Sequence, residues 1–357
     1  RSRPAVLYGC PLGHRTVLNG NTPTIDGSAI YGWDNYRVKQ LREYKHGRMK
    51  VSYPHSPNGQ YLKPMLPYQL ENPDDQCWRD GKNQYCFLAG DKRVQTQPGL
   101  VAMHTIMVRA HNWLADHLYR INPHWGDERL FQEARRIIAA FQQHITYNEY
   151  LPNLLNQYEM DTWDLWVSPL YTKWGWDPTW DPQISVYFSS AAFRYGHTIV
   201  PWKVDLYSAS HKPIGWWPLR DVFFRTKYYS SPGVLDHVIL GGLNQPSEYV
   251  DSVVNDELRN WLFAAPYAKY GDDLVATNIQ RGREQAIPGW LTFWNFCNIK
   301  PNIYSWKDMY YVMPNDTVNR LRQVYENPKV PCNSNIIPKF NLEPWREPAP
   351  PFYRGYK

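Results

Sequence analysis

Residues 99–121, GLVAMHTIMVRAHNWLADHLYRI, and residues 127–145, DERLFQEARRIIAAFQQHI, decide the fold class. In the first stretch Met107, Ala110, Leu114, Leu118 and Ile121 recur at helical spacing. Asn122-Pro123 ends that helix, because the residue before a proline is pushed towards extended backbone. In the second stretch Asp127 is expected to cap a helix, with an apolar stripe of Leu130, Ala134, Ile137, Ile138, Phe141 and Ile145. Pro152 closes the segment. The reading is a mainly α protein with long ordered loops and little β.

Outward from this pair the texture is looser. Residues 1–100 are rich in Gly, Pro, Asn and Tyr and read as loop and turn, with one short helix over Asn35–Glu43. Residues 160–185 form a Trp-rich loop. Further helices are predicted over Ser190–Thr198, Pro246–Phe263, Pro288–Cys297 and Asn315–Tyr325, and the stretch from Pro328 is Pro-rich and extended. There is no internal repeat, and alternation of the kind that marks strands is scarce.

Composition narrows the class. Apolar residues are 43% and charged residues 20%, so the chain can bury a core and disorder is not expected. Aromatics reach 16%, and 30 of the 357 residues are proline, against an average near 5%; this suits a large, loop-rich extracellular protein. The net charge of +6 is scattered, without the clustered basic patch that nucleic-acid binding needs. Apolar runs such as Ile137–Phe141 are far too short to cross a bilayer. The sequence starts at Arg1 without Met or an apolar leader, and is expected to be a processed or partial chain.

The five cysteines contain no C-x-x-C pair, which argues against zinc. Cys77 and Cys86 bracket a polar turn, a spacing that suits a local disulfide in an oxidising compartment; two free thiols are the other reading. The odd total leaves at least one cysteine without a partner in the chain.

Three stretches carry a resemblance. They are Cys86-Phe87-Leu88-Ala89-Gly90-Asp91-Lys92-Arg93 with His104-Thr105; Asn122-Pro123-His124-Trp125 through Glu128–Arg136 to Gln143-His144-Ile145-Thr146-Tyr147; and Ala192-Phe193-Arg194-Tyr195-Gly196-His197-Thr198. With Asn278-Ile279-Gln280-Arg281-Gly282-Arg283, their order and spacing resemble the animal haem peroxidases, the family of myeloperoxidase and peroxidasin. The resemblance covers about residues 1–335 as a partial peroxidase-like domain and leaves 336–357 as a Pro-rich tail. It implies a large helical domain around a buried haem.

By this resemblance His197 stands at the proximal haem-ligand position, for which a neutral imidazole is suited. Arg194 matches a haem-propionate partner. Arg93 matches the distal arginine that polarises bound peroxide, and the family spacing places it in the pocket. Other positions depart from the family. Thr96 stands where a haem ester forms, and its hydroxyl cannot form that ester. Leu291 stands where an asparagine bonds the second nitrogen of the proximal histidine, which is expected to turn to a backbone carbonyl, water or solvent instead. Trp294 replaces a second propionate arginine. The family's distal histidine matches a segment upstream of residue 1, and a block of helices is missing after Lys329.

Thr22, Thr24, Asp26 and Ser28 match the family's calcium loop, with oxygen ligands at alternate positions; short polar turns share this pattern. The family also closes the Cys77–Cys86 loop and pairs Cys297 elsewhere, so Cys297 is expected free or bonded to Cys332, and Cys10 unpaired or bonded to a missing segment. Asn315-Asp316-Thr317 is an N-glycosylation sequon as well as a helix start.

Two functions follow. One is a secreted, catalytically degraded peroxidase homologue acting as an extracellular scaffold or interaction protein, with haem disfavoured and Ca²⁺ open. The other is an active haem peroxidase whose distal histidine comes from a separate light chain or a further segment. The losses at positions 96, 291 and 294 favour the first.

Overall fold

The computed structural model describes residues 2–4, 15–17, 20–54, 63–70, 77–79, 85–167, 179–231 and 233–325. Cys10, Cys332, the tail 336–357 and residues 168–178 of the Trp-rich loop lie outside these, and so does the Cys297–Cys332 pairing; Cys297 itself is exposed and free.

Helix α1 spans Asn35–Leu41, capped by the Asp34 carboxylate, which accepts from the Arg37 amide. Helix α2, Pro98–Ile121, starts with proline at its first position and with the Gln97 side chain accepting from the Gly99 amide at 2.6 Å. It stops at Asn122, one residue before Pro123. Helix α3, Asp127–Ile145, packs against it. The helix pair expected from the sequence is therefore present; on α3 the expected Leu130, Ala134 and Ile138 are buried, whereas the buried face of α2 is rotated from the hydropathy reading. On α2 the buried positions are Val101, Ala102, Thr105, Val108, His111, Asn112 and Ala115, whereas Ile121 is 72% exposed. On α3 they are Leu130, Phe131, Ala134 and Ile138, whereas Phe141 and Ile145 are exposed.

Polar groups explain the rotation. His111, wholly buried, has Nε2 2.9 Å from the Gly47 carbonyl and Nδ1 2.8 Å from the Tyr31 hydroxyl. A carbonyl only accepts, so Nε2 carries the proton and Nδ1 accepts from Tyr31. Asn112 takes the Met49 amide with Oδ1 and gives Nδ2–H to the Met49 carbonyl. These bonds tie the loop before α2 to the helix. That loop passes so close to α3 that a Cβ on Gly47 would lie 2.6 Å from the Phe131 amide, and its φ of +73° also favours glycine. Asp127 is not the cap: Gly126 holds that place, and Asp127, in the first turn of α3, accepts from the Gly47 amide and from Arg42, each at 2.6 Å. A carboxylate there also faces the positive end of the helix.

A two-stranded antiparallel hairpin, β1 (Lys203–Tyr207) with β2 (Pro213–Pro218), lies where no strand is expected from alternation. Helix α4, Val234–Asn244, packs on β1 and on α2. Contact with β1 is so close that a Cβ on Gly241 would fall 1.8 Å from the Asp205 carbonyl oxygen. The helix predicted over Pro246–Phe263 shrinks to Asp256–Arg259. Helices α5 (Leu274–Glu284), α6 (Trp290–Phe296) and α7 (Asn315–Val324) complete the described chain, and α5 was not predicted as a helix. Leu291, Ile303, Met309 and Val318 form a small core of their own. Cys77 and Cys86 are joined in a disulfide with Cα atoms 6.0 Å apart. Among the described residues no helix is long and apolar enough to cross a membrane.

Burial pushes the His111 imidazole down to about 4, so the folded protein holds it neutral. The unfolded chain, with a value near 6.5, binds more protons between about pH 4 and 6.5. Stability from this site is therefore complete above that window and lost as pH falls through it. Denaturant titrations should show a loss of about 2 kcal/mol between pH 7 and pH 5, and that component should vanish in His111→Gln.

Candidate functional site

The segment predicted as one helix over Ser190–Thr198 is two: an α-turn over Val186–Ser190 and a 3₁₀ segment over Ala192–His197. The tighter winding places Arg194 and His197 three residues apart on one side. Opposite stands α5, started by Asp273, whose carboxylate accepts from the Val275 and Ala276 amides. One turn into α5, Asn278 meets both residues. Its Oδ1 accepts from Arg194 Nη1, and its Nδ2 lies 2.8 Å from His197 Nδ1. The His197 imidazole is held below its ordinary value by burial, and by the Arg194 cation beside it.

This contact corrects one expectation. The second nitrogen of His197 does not turn to a carbonyl or to solvent; the Asn278 side chain takes it. Asn278 was missed as a site residue, although it heads the Asn278–Arg283 stretch that carried part of the resemblance. Its amide, one of few side chains able to bond both a guanidinium and an imidazole, was the available signal.

Two cavities flank this contact. One, of about 600 Å³, is lined by His197, Thr96, Gln97, Val200, Val204 and Phe223. The other, of about 830 Å³, is lined by Arg194, Asn278 and Arg283 with apolar neighbours including Phe188, Trp290 and Phe293. Thr96 and His197 are thus brought together, and Arg194 faces the other space. Arg93 joins neither. Its side chain is 62% exposed and chelated by Asp91, with Nε at 3.0 and 3.1 Å from the two carboxylate oxygens. Leu291 is buried in its own core with Ile303, Met309 and Val318. Trp294 packs on that core and gives its indole N–H to the Pro301 carbonyl at 2.9 Å.

Haem needs an axial lone pair and cations for its propionates. Here His197 Nδ1 faces an amide N–H₂, the Arg194 guanidinium is bound to Asn278, and position 294 offers an indole already engaged. The residues present do not fit a haem clamp in this arrangement. The calcium loop fares similarly. Thr22 Oγ1 lies 2.9 Å from Asp26 Oδ1 and 2.8 Å from Ser28 Oγ, and the Ser28 amide donates to Asp26 Oδ1 at 2.8 Å, so these oxygens bond one another. Thr24 lies beside Asp26 and Ser28 along a neighbouring cavity. Among the described residues no three His, Cys, Asp or Glu groups cluster as a metal site, and one carboxylate is a poor match for the roughly six to eight oxygens Ca²⁺ takes. Asn315 is exposed at the start of α7; Pro314 precedes it as the cap, so neither Asn315 nor Asp316 caps the helix.

Comparison with known proteins assigns the family. The animal haem peroxidase family profile matches residues 1–330, and the chain belongs to that family. A peroxidasin homologue, pxn-2 of Caenorhabditis elegans, is 34% identical over 323 residues, covering 87% of this chain and 23% of the relative. Lactoperoxidase of Mesocricetus auratus is 36% identical over 293 residues, covering 80% and 40%. The structure of peroxidase A from Dictyostelium discoideum superposes with a TM-score of 0.67 at 29% identity, covering 88% of this chain and 56% of that one. The chain therefore spans well under half the length of these curated relatives.

Leu291→Asn should not recreate a partner for His197. The side chain would sit among the apolar side chains of Ile303, Met309 and Val318, and thermal and denaturant unfolding should show a loss of about 3 kcal/mol.

Proposed function

We propose that this protein is a secreted, catalytically degraded member of the animal haem peroxidase family that uses the helical fold as an extracellular scaffold or interaction module. The observation that carries this reading is the diversion of the cofactor-binding positions. Arg194 is committed to Asn278, Trp294 to Pro301 and Arg93 to Asp91, while Leu291 is sealed in an apolar core. The Arg194 and Arg93 contacts engage donors that peroxidase chemistry would use, and the side chains at positions 291 and 294 offer it no free donor. The Cys77–Cys86 disulfide supports an oxidising, extracellular setting. The partners fitting this reading are other extracellular proteins; a nucleic acid or a membrane does not fit it.

One observation favours the alternative, an active haem peroxidase completed by a second chain carrying the distal histidine. Thr96, Gln97 and His197 line a common cavity of about 600 Å³. In that enzyme haem would supply peroxide reduction, with His197 and Arg194 holding it and Arg93 turned inward from Asp91. A missing general base lowers a rate by about 10²–10⁴. The purified chain, supplied with haemin and hydrogen peroxide, should therefore oxidise a phenolic dye at trace level at most, and Arg93→Ala should leave that trace unchanged. Robust turnover abolished by Arg93→Ala would establish the two-chain enzyme instead.

A further inference from the structure

Arg194, Asn278 and His197 form a chain of two hydrogen bonds whose direction is fixed by its first member. A guanidinium has only donors. Its Nη1 therefore requires the carbonyl oxygen of Asn278, and Oδ1 is the atom it meets. That choice turns the other end of the amide, Nδ2–H₂, towards the ring at 2.8 Å from Nδ1. An amide nitrogen does not accept, so Nδ1 of His197 must be the acceptor. A neutral imidazole that accepts at Nδ1 carries its proton on Nε2. The opposite amide orientation would set N–H₂ against the guanidinium, two donors face to face. It would also take away the acceptor of a cation whose buried Nε already finds no partner among the described residues.

We propose that Arg194, acting through Asn278, locks His197 in the Nε2-protonated tautomer, so that Asn278 is a positioning residue that withholds the Nε2 lone pair from any metal. The lock deepens the reading of a degraded peroxidase and supplies its physical cause at the axial position. An axial histidine needs the reverse polarity: Nδ1–H donating to an acceptor, and a bare Nε2. The substitution at position 291 has thus done more than remove a partner. With leucine there, the ring has turned to an amide whose acceptor end is already taken. His111 shows the same rule in the same molecule, its tautomer set by the Gly47 carbonyl.

Asn278→Asp tests this with almost no change of shape. A carboxylate accepts at both oxygens, so it can keep the Arg194 bond while taking a proton-bearing Nδ1–H from His197. The readout is ¹⁵N NMR of the haem-free, full-length chain labelled at histidine, with His197→Gln to assign the ring and the pH kept above its titration. In the unmodified chain Nε2 should be the protonated nitrogen and Nδ1 the bare one; in Asn278→Asp the two should exchange. Should Asn278→Asp fail to fold, Arg194→Met frees the amide to turn and should shift the ring towards Nδ1–H. A proton on Nδ1 in the unmodified chain, or a tautomer that neither substitution moves, overturns the lock. The two readings separate cleanly. Stoichiometric haem uptake that His197→Ala leaves unchanged, by a chain whose haem-free ring is Nε2-protonated, would leave the lock standing and count against the degraded peroxidase; uptake that His197→Ala abolishes would overturn both. Nδ1–H with no haem uptake would remove the lock and leave that reading standing.

Discussion

A neutral imidazole with both nitrogens engaged, sealed from water, is the constraint on which the described fold rests. His111 joins three pieces of chain: the Tyr31 hydroxyl, the Gly47 carbonyl and its own helix. Tyr31 packs edge-on against it and Phe131 lies tilted to the ring, and Arg42 lies over the Phe131 ring while pairing with Asp127 and Glu128. Leaving either nitrogen unpaired would cost about 1–3 kcal/mol, so the loop must run where it does. Gly47 then has to be glycine, because the loop touches α3 too closely for a side chain. From this junction the stack continues through α2 to α4 and, at the bare backbone of Gly241, to the β1–β2 hairpin.

The same chemistry has a different outcome at His197. At His111 a backbone carbonyl, which cannot change, sets the tautomer. At His197 a side-chain amide does so, and its orientation is decided one residue further away by Arg194. The scaffold has thus kept the buried histidine that builds it, while the histidine at the cofactor position is held by neighbours serving other bonds. At both sites a ring nitrogen is engaged by a group that its own surroundings hold in place.

Much of the fold could be read in the sequence because it depended on period and on stop signals. The end of α2 followed from Asn122-Pro123, and the extent of both helices from the apolar repeat. The buried face of α2 did not, since Thr105, His111 and Asn112 are polar by type and core by position, and a hydropathy stripe leaves them out. The hairpin at Lys203–Tyr207 escaped because its partner strand, rich in Trp and Pro and largely exposed, shows no alternation. Site positions were placed through the family resemblance, and the retained motif does bring Arg194 and His197 together. What no linear reading gave was the partner of each. Asn278 is 81 residues from His197, and Arg93 turned to Asp91 two residues away. Hydrogen-bond partners are settled by local competition among donors and acceptors, which spacing alone does not encode.

On the proposed reading the peroxidase scaffold persists while the haem-binding positions serve other contacts. The most direct test of that reading is the visible absorption spectrum of the purified chain after incubation with haemin and removal of unbound haem by gel filtration. The account predicts no Soret band at a stoichiometry approaching one haem per folded chain, and a spectrum that His197→Ala leaves unchanged. One tightly held haem per chain, with a band that disappears in His197→Ala, would contradict it.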